Sequence, residues 1–451
     1  MNKLRGGIQL VNPPAELLER LTYPNPFEPD QEFLGYRDDG AGKVTVPRKS
    51  IDISPDIVDV TTSPISIGIK SSFSLRDYQI KPVNKITSLL TGGYNQCLLT
   101  ARTGSGKSFS LGFIIKDIGE RTLILAHLSM LTTQMADELS ENLDADVRII
   151  DKDNQELGDV NICTFQYLHA NPMLTLQLAK EIGFVVVDEA ENMLSPSRLN
   201  VFYSLTPKYQ LLMTATPSRD LVGRTPMITE LIGDAIVVME PTNEIVTTPA
   251  MFDYRHLKFH APTNKMMYKG ALTRFFLQSS IPADIVGVVG MLLEYEGCVW
   301  VIIDSLKFQD KMVELFAAQG VGAEVIRGAT STKERKRILA NVESGDCRVL
   351  LASAPLSAGI SMPELAHAFR VMPHSSGHEL LTQQRGRLKR YSEFKDYQPT
   401  IWFDYAIEGS LAWTGKKRFK SYKEEEGFLF GSLSTIKAKV KELLDDKQRK
   451  N

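Results

Sequence analysis

The sequence has no excess of either charge: 52 Lys and Arg stand against 54 Asp and Glu in 451 residues, a net charge of −2. That balance excludes a histone-like protein that neutralises a polyanion over its whole surface, so any basic surface is local. Cysteine is scarce as well. The closest pair among Cys97, Cys163, Cys298 and Cys347 is 49 residues apart, which fits neither a C-x-x-C metal clamp nor a disulfide-dense secreted framework, and reduced thiols are expected. No run approaches the ~18 apolar residues of a membrane span, and the start, MNKLRGGIQL, lacks the apolar core of a signal peptide. No short repeat or low-complexity tract interrupts the chain. What is there, at 43% hydrophobic residues, is ample for several packed cores, and ~150 residues per domain gives about three.

The first 70 or so residues are punctuated by Pro13, Pro14, Pro24, Pro26, Pro29, Pro47, Pro55 and Pro64 between short strand-like runs such as Lys43–Val46 and Ile57–Val60, which predicts a small, mainly β domain over 1–72. From Ser74 the pattern changes. Continuous apolar runs at Cys97–Leu99, Leu123–Leu125, Phe184–Val187 and Leu211–Met213 alternate with helix-length segments, and strands apolar on both faces belong to a parallel sheet covered by helices. After a transitional stretch at about 235–290, a second such series follows: Val299–Ile303, Ala323–Ile326, Arg348–Ala352, Ala368–Met372 and Pro399–Asp404. The expected class is α/β, with one parallel-sheet domain over 73–242, another over 243–451, and a charged helix at the end.

The strongest motif is Ala101-Arg102-Thr103-Gly104-Ser105-Gly106-Lys107-Ser108, between the strand Gln96–Thr100 and an apolar helix from Lys107 to about Ile118. Backbone N–H groups of such a turn and the helix N-terminus cradle phosphate oxygens; Lys107 neutralises the β and γ phosphates and Ser108 binds Mg²⁺. Ala101 stands where the first glycine of this P-loop usually is. Asp188-Glu189-Ala190-Glu191 follows Phe184–Val187 and so lies at the carboxyl edge of the sheet, where α/β proteins bind ligands. There Asp188 would hold Mg²⁺, partly through water, and Glu189 would orient and deprotonate an attacking water. In the second domain, Gln383 to Arg390 place Arg387 and Arg390 three apart, on one helix face, able to stabilise charge on a transferred phosphoryl group.

Together with Thr214-Ala215-Thr216-Pro217, these motifs resemble superfamily 2 helicases and translocases in order and spacing, over roughly residues 73–405. The resemblance implies two tandem RecA-like motor domains, with ATP and Mg²⁺ held between Lys107, Ser108, Asp188 and Glu189 on one wall and Gln383, Arg387 and Arg390 on the other. It implies that Gln79, in Leu75-Arg76-Asp77-Tyr78-Gln79, contacts the adenine edge, that Thr103, Gly104, Ser105, Gly106 and Gly359 contact nucleotide, and that Thr164, Thr214, Thr216, Ser305, Arg327 and Ser353 contact nucleic acid or couple it to hydrolysis. Gln383 stands where many RNA helicases have His, which favours DNA.

The basic run Lys416-Lys417-Arg418-Phe419-Lys420, followed by Tyr422, lies where UvsW-like branch-migration helicases of tailed phages have a basic stretch; the small N-terminal domain with Val46-Pro47-Arg48 is similar to that group too. The implied partner is DNA, as forks and Holliday-type junctions with tracking along one strand, bound by a monomer without membrane association. The expected location is the cytoplasm, that of the host if the chain is phage-encoded. Two other readings use the same motor residues: an RNA helicase, and a duplex DNA translocase subunit of a restriction-type system.

Overall fold

In the computed structural model the chain forms two compact units, Met1–Thr242 and Asn243–Asn451. The structure describes all residues except 25–31, 53–55, 63–66, 72–73, 102–104, 128, 216–234, 241–244, 246, 354–361, 363, 372–383, 390–391, 397, 426 and 449–451. The first unit is built on seven parallel strands: β1 (Gln96–Ala101), β2 (Thr122–Ala126), β3 (Val147–Ile150), β4 (Val160–Thr164), β5 (Phe184–Val187), β6 (Tyr209–Thr214) and β7 (Ile236–Met239). Their order across the sheet is β3-β4-β2-β5-β6-β1-β7. β2 and β5 are paired neighbours, yet the chain leaves them toward opposite sides of the sheet, which opens a crevice at their carboxyl ends. All four residues of β5 are buried, as a strand covered on both faces requires.

The second unit repeats this plan. Its strands are β8 (Thr247–Phe259), β9 (Cys298–Ile302), β10 (Glu324–Ile326), β11 (Val349–Ala352), β12 (Leu365–Arg370), β13 (Thr400–Gly409) and β14 (Leu429–Gly431), again all parallel, in the order β10-β11-β9-β12-β13-β8-β14. Counted from the first strand of each unit, both sheets read 3-4-2-5-6-1-7. The two series of apolar runs are thus two parallel sheets, and the α/β class holds. The stretch at 235–290 is not transitional, however. It contains β7, the thirteen-residue β8 and the helices Tyr268–Gln278 and Ile281–Leu292, because Thr247–Tyr254 is buried almost throughout and carries no two-residue alternation to mark it as a strand. No single helix among the described residues is long and apolar enough to cross a membrane. All four cysteines are free thiols.

The N-terminal region has a five-stranded sheet with a small core of Leu4, Ile8, Leu10, Leu17, Leu21, Val44 and Val46. It is docked on the amino edge of the first motor sheet, opposite the edge that carries the motifs. Arg48, only 2% exposed, donates from Nε to the Arg5 carbonyl at 2.9 Å and from Nη1 to the Lys208 carbonyl at 3.1 Å, and Nη2 also reaches the Pro207 carbonyl. Burial disfavours the guanidinium charge, so these acceptors are what allow it to be there. Gln210 at the start of β6 donates to the Gly6 carbonyl at 2.9 Å, Tyr203 donates to the Gly35 carbonyl at 2.8 Å, and Tyr23 and Phe33 are part of the motor's core. A Cβ on Gly6 would lie 2.4 Å from the Phe202 carbonyl oxygen, so this close approach requires glycine. Arg48→Ala, which orphans these carbonyls, is expected to lower stability by roughly 3 kcal/mol. A urea midpoint unchanged from wild type would refute the clamp.

Candidate active site

The described part of the P-loop is braced from below. Gly106 adopts φ 76°, ψ 39° and caps the helix α1 (Lys107–Ile118). A Cβ at this position would strike Gln79 Nε2 at 2.5 Å. Gln79 itself is 3% exposed, on the helix Asp77–Leu89. Its Nε2 donates to the carbonyls of Ser105 and Gly106, both at 3.2 Å, and its Oε1 accepts from the Arg76 N–H at 3.0 Å. Tyr78 Oη adds a third bond, to the Ser105 carbonyl at 3.0 Å. The amide of Gln79, the residue that the resemblance assigns to an adenine edge, is engaged inside the protein as a support of the P-loop backbone. The Ser105 hydroxyl is buried without a hydrogen-bond partner among the described residues, a polar atom facing a turn whose N–H groups suit an anion. Thr103 and Gly104 lie outside the described residues.

Asp188 and Glu189 follow β5 at the same edge. Both are half-buried, and the Asp188 N–H donates to the Leu125 carbonyl at 3.1 Å, which holds the turn against β2. Burial raises the Asp188 carboxyl above its ordinary value; the Lys107 charge opposes that shift and the Glu189 charge adds to it. One cation and two carboxylates thus meet in one electrostatic neighbourhood, with Ser108 half-buried on the first turn of α1. This is a donor set that fits a polyphosphate with a hard divalent cation. Glu189 has φ 52°, a left-handed conformation rare for a residue with a side chain and a form of strain that collects at functional sites. Thr214, fully buried at the end of β6, occupies the strand between β5 and β1. Thr216 lies outside the described residues.

The remaining positions divide. Thr164 ends β4 and its Oγ1 accepts from the Tyr167 N–H at 3.2 Å, so the hydroxyl is an N-cap. Ser305 likewise caps the helix Leu306–Ala318, accepts from Thr273 Oγ1 at 3.1 Å, and lines a cavity of about 420 Å³ with Lys269, Arg274 and Lys307. The Arg327 guanidinium is paired with Asp310, and Ser353 is half-buried just past β11. Arg387 lies on a short helix over 384–388 and is 8% exposed. Gly359, Gln383 and Arg390 lie outside the described residues.

Arg418 lies in the basic run whose resemblance implies contact with DNA, yet it is 3% exposed on the helix α2 (Ala412–Lys423), where Nε donates to Asp404 Oδ2 at 2.7 Å and Nη2 to the Tyr405 carbonyl at 3.1 Å. Tyr422 Oη donates to the same Asp404 oxygen at 2.9 Å and accepts from Trp402 Nε1 at 2.9 Å. Gly415, Arg418 and Tyr422 form the buried face of α2; Lys416, Lys417 and Lys420 form the exposed one, with Lys417 Nζ 3.8 Å from the ring centre of Trp413. Phe419 packs on Phe428 and Phe430. Arg385, inside the arginine motif, joins the same structure through Glu425 at 2.7 Å.

Sequence reasoning missed Arg385, Arg48 and His127, which follows β2 directly and stands with Nδ1 2.9 Å from Glu189 Oε2. A titratable residue at the carboxyl end of a buried strand was the available signal. Two outcomes check the site. Gly106→Ala forces a Cβ onto Gln79 in a left-handed backbone, which costs roughly 1–2 kcal/mol and is expected to weaken ATP binding about tenfold; unchanged affinity in a nucleotide titration would remove the bracing role. Arg418→Ala strands Asp404 without its cation and is expected to cost roughly 3–5 kcal/mol in thermal unfolding, against changes within about 0.5 kcal/mol for Lys416→Ala or Lys417→Ala.

Two family models match the chain: the res subunit of type III restriction enzymes over residues 72–219 and the helicase conserved C-terminal domain over residues 286–392. The chain is 25% identical over 354 residues to the DNA 3'-5' helicase XPB of Mycobacterium tuberculosis, a match that covers 74% of this chain and 61% of that protein. It is 22% identical over 382 residues to the DNA 3'-5' translocase XPB2 of Sulfurisphaera tokodaii, covering 76% of this chain and 84% of the relative. In fold it resembles Saccharomyces cerevisiae Dbp5 bound to RNA and ADP BeF3, with a TM-score of 0.57 at 15% identity, covering 82% of this chain and 98% of that one. On two parallel sheets of like order, residues 72–219 thus match the res-subunit type and residues 286–392 the helicase C-terminal type.

Proposed function

We propose that the chain is an ATP-dependent DNA helicase or translocase. The observation that carries this reading is the meeting of Lys107, Asp188 and Glu189 at the carboxyl edge of the first sheet, beside a P-loop turn braced by Gln79. Lys107 binds and neutralises the terminal phosphates, Ser108 and Asp188 hold Mg²⁺, and Glu189 orients a water and accepts its proton. Bound Mg²⁺ supplies the charge neutralisation that phosphoryl transfer to water needs. In this reading Arg387 and Arg390 stabilise charge on the transferred phosphoryl group. DNA as the substrate is supported by the similarity to the DNA helicase XPB of Mycobacterium tuberculosis and the DNA translocase XPB2 of Sulfurisphaera tokodaii.

The finer reading is a branch-migration enzyme of the UvsW-like kind that works on forks and Holliday-type junctions as a monomer while tracking one strand. It rests on the sequence resemblance, with the small N-terminal domain, 1–72, engaging duplex. The docking through Arg48 supports a domain that moves with the first motor unit. Lys416 and Lys417, exposed on α2, are the contacts this reading assigns to DNA phosphates.

The test is ATP turnover and strand separation measured on single strands, duplexes, forks and four-way junctions, each as DNA and as RNA. Wild type is expected to turn over ATP in a DNA-stimulated way and to unwind forked DNA. Lys107→Ala and Glu189→Gln are expected to lose turnover by at least about a hundredfold, and chelation of Mg²⁺ to abolish it. Full turnover in Lys107→Ala would overturn the ATP site, and a preference for all-RNA forks would replace DNA by RNA.

A further inference from the structure

Glu189 needs more than a backbone address to act as a base. Its φ of 52° is a left-handed backbone rare for a residue with a side chain, and the carboxylate keeps one orientation only if neighbours hold it. Two do so at the same oxygen: Asn192 Nδ2 donates to Oε2 at 3.1 Å, and His127 Nδ1 stands 2.9 Å from it, with both the histidine and the glutamate side chain 17% exposed. Among the described residues His127 Nδ1 meets no acceptor in hydrogen-bond geometry, and its 2.9 Å approach to Glu189 Oε2 is a close polar contact between two half-buried side chains. His127 is in turn placed by the sheet. It follows Ala126, the last residue of β2, which pairs with Thr164 at the end of β4, and its carbonyl accepts from Gln166 Nε2 at 3.0 Å. Gln166 is an exposed residue on the helix that Thr164 caps.

We propose that His127 is a positioning residue for Glu189, fixing Oε2 so that the carboxylate faces the attacking water in one orientation, and that Gln166 fixes His127. The proposal rests on the reading of Glu189 as the general base. It differs from a packing role in what it demands of the side chain: a nitrogen donor at this reach, and an effect on the chemical step rather than on nucleotide binding. In this proposal His127 acts through Glu189.

The experiment is steady-state ATP turnover of the full chain, with saturating single-stranded DNA, for wild type and His127→Ala, His127→Gln, Gln166→Ala, Glu189→Gln and the His127→Ala/Glu189→Gln double variant. His127→Ala is expected to lower kcat about tenfold while KM for ATP stays within about twofold, since misplacing a reacting group acts on the chemical step. His127→Gln, which keeps a donor, regains at least about half of the loss on a logarithmic scale, and Gln166→Ala loses about threefold. The double variant is no slower than Glu189→Gln alone, because the two residues act as one unit. A wild type without turnover, or a Lys107→Ala variant that retains it, overturns the reading of the site as a whole. Normal turnover in wild type and loss in Lys107→Ala, combined with an unchanged kcat in His127→Ala, a change in KM alone, or no recovery in His127→Gln, overturns the positioning role and leaves the site standing.

Discussion

Every strand in both seven-stranded sheets points the same way, and the placement of the chemistry depends on that constraint. A parallel sheet sends all its carboxyl-end loops to one edge, so the turn after β1, the acidic pair after β5, Thr214 at the end of β6 and His127 after β2 reach one crevice although up to about 110 residues of chain separate them. The opposite edge, where the strands begin, is then available for a different task, and the N-terminal sheet occupies it through Arg48, Gln210 and Tyr203. One edge gathers Lys107, Asp188, Glu189 and His127, and the other is closed over by protein.

The second unit shows how a buried ion pair organises a surface. Asp404, at the sheet side of α2, is satisfied by Arg418, Tyr422 and the Tyr405 N–H, and this fixes which face of α2 is turned inward. The lysines are consequently held outward on a helix that cannot rotate without stranding a carboxylate in the core, a penalty of several kcal/mol. The Arg385–Glu425 pair extends the same arrangement to the helix that bears Arg387, so the arginine motif and α2 share one support.

The parts of this fold that were legible in the sequence are those whose physics is local. Continuous apolar runs announced buried strands, and the P-loop and Asp188-Glu189 were recognisable because strand, turn and helix occur in immediate succession. The parts that were missed depend on partners far away in the chain. Arg418 looks basic and exposed until Asp404 is placed beneath it, although the spacing of Gly415, Arg418 and Tyr422 on one helix face carried a trace of the answer. The support that Gln79 gives to the carbonyls of Ser105 and Gly106 was not legible, because that turn lies more than twenty residues on. β8 was passed over because a strand buried on both faces has no alternation to announce it.

The clamp formed by Arg48 also constrains how the chain is made. The carbonyls of Pro207 and Lys208 that receive its guanidinium are about 160 residues downstream, and Tyr23 and Phe33 enter a core whose strands come from residues 96–239. At ordinary synthesis rates that is roughly 10–30 s of waiting. This segment therefore leaves the ribosome well before the residues that receive it, and until they follow a charged group and two aromatic rings destined for burial stay in water.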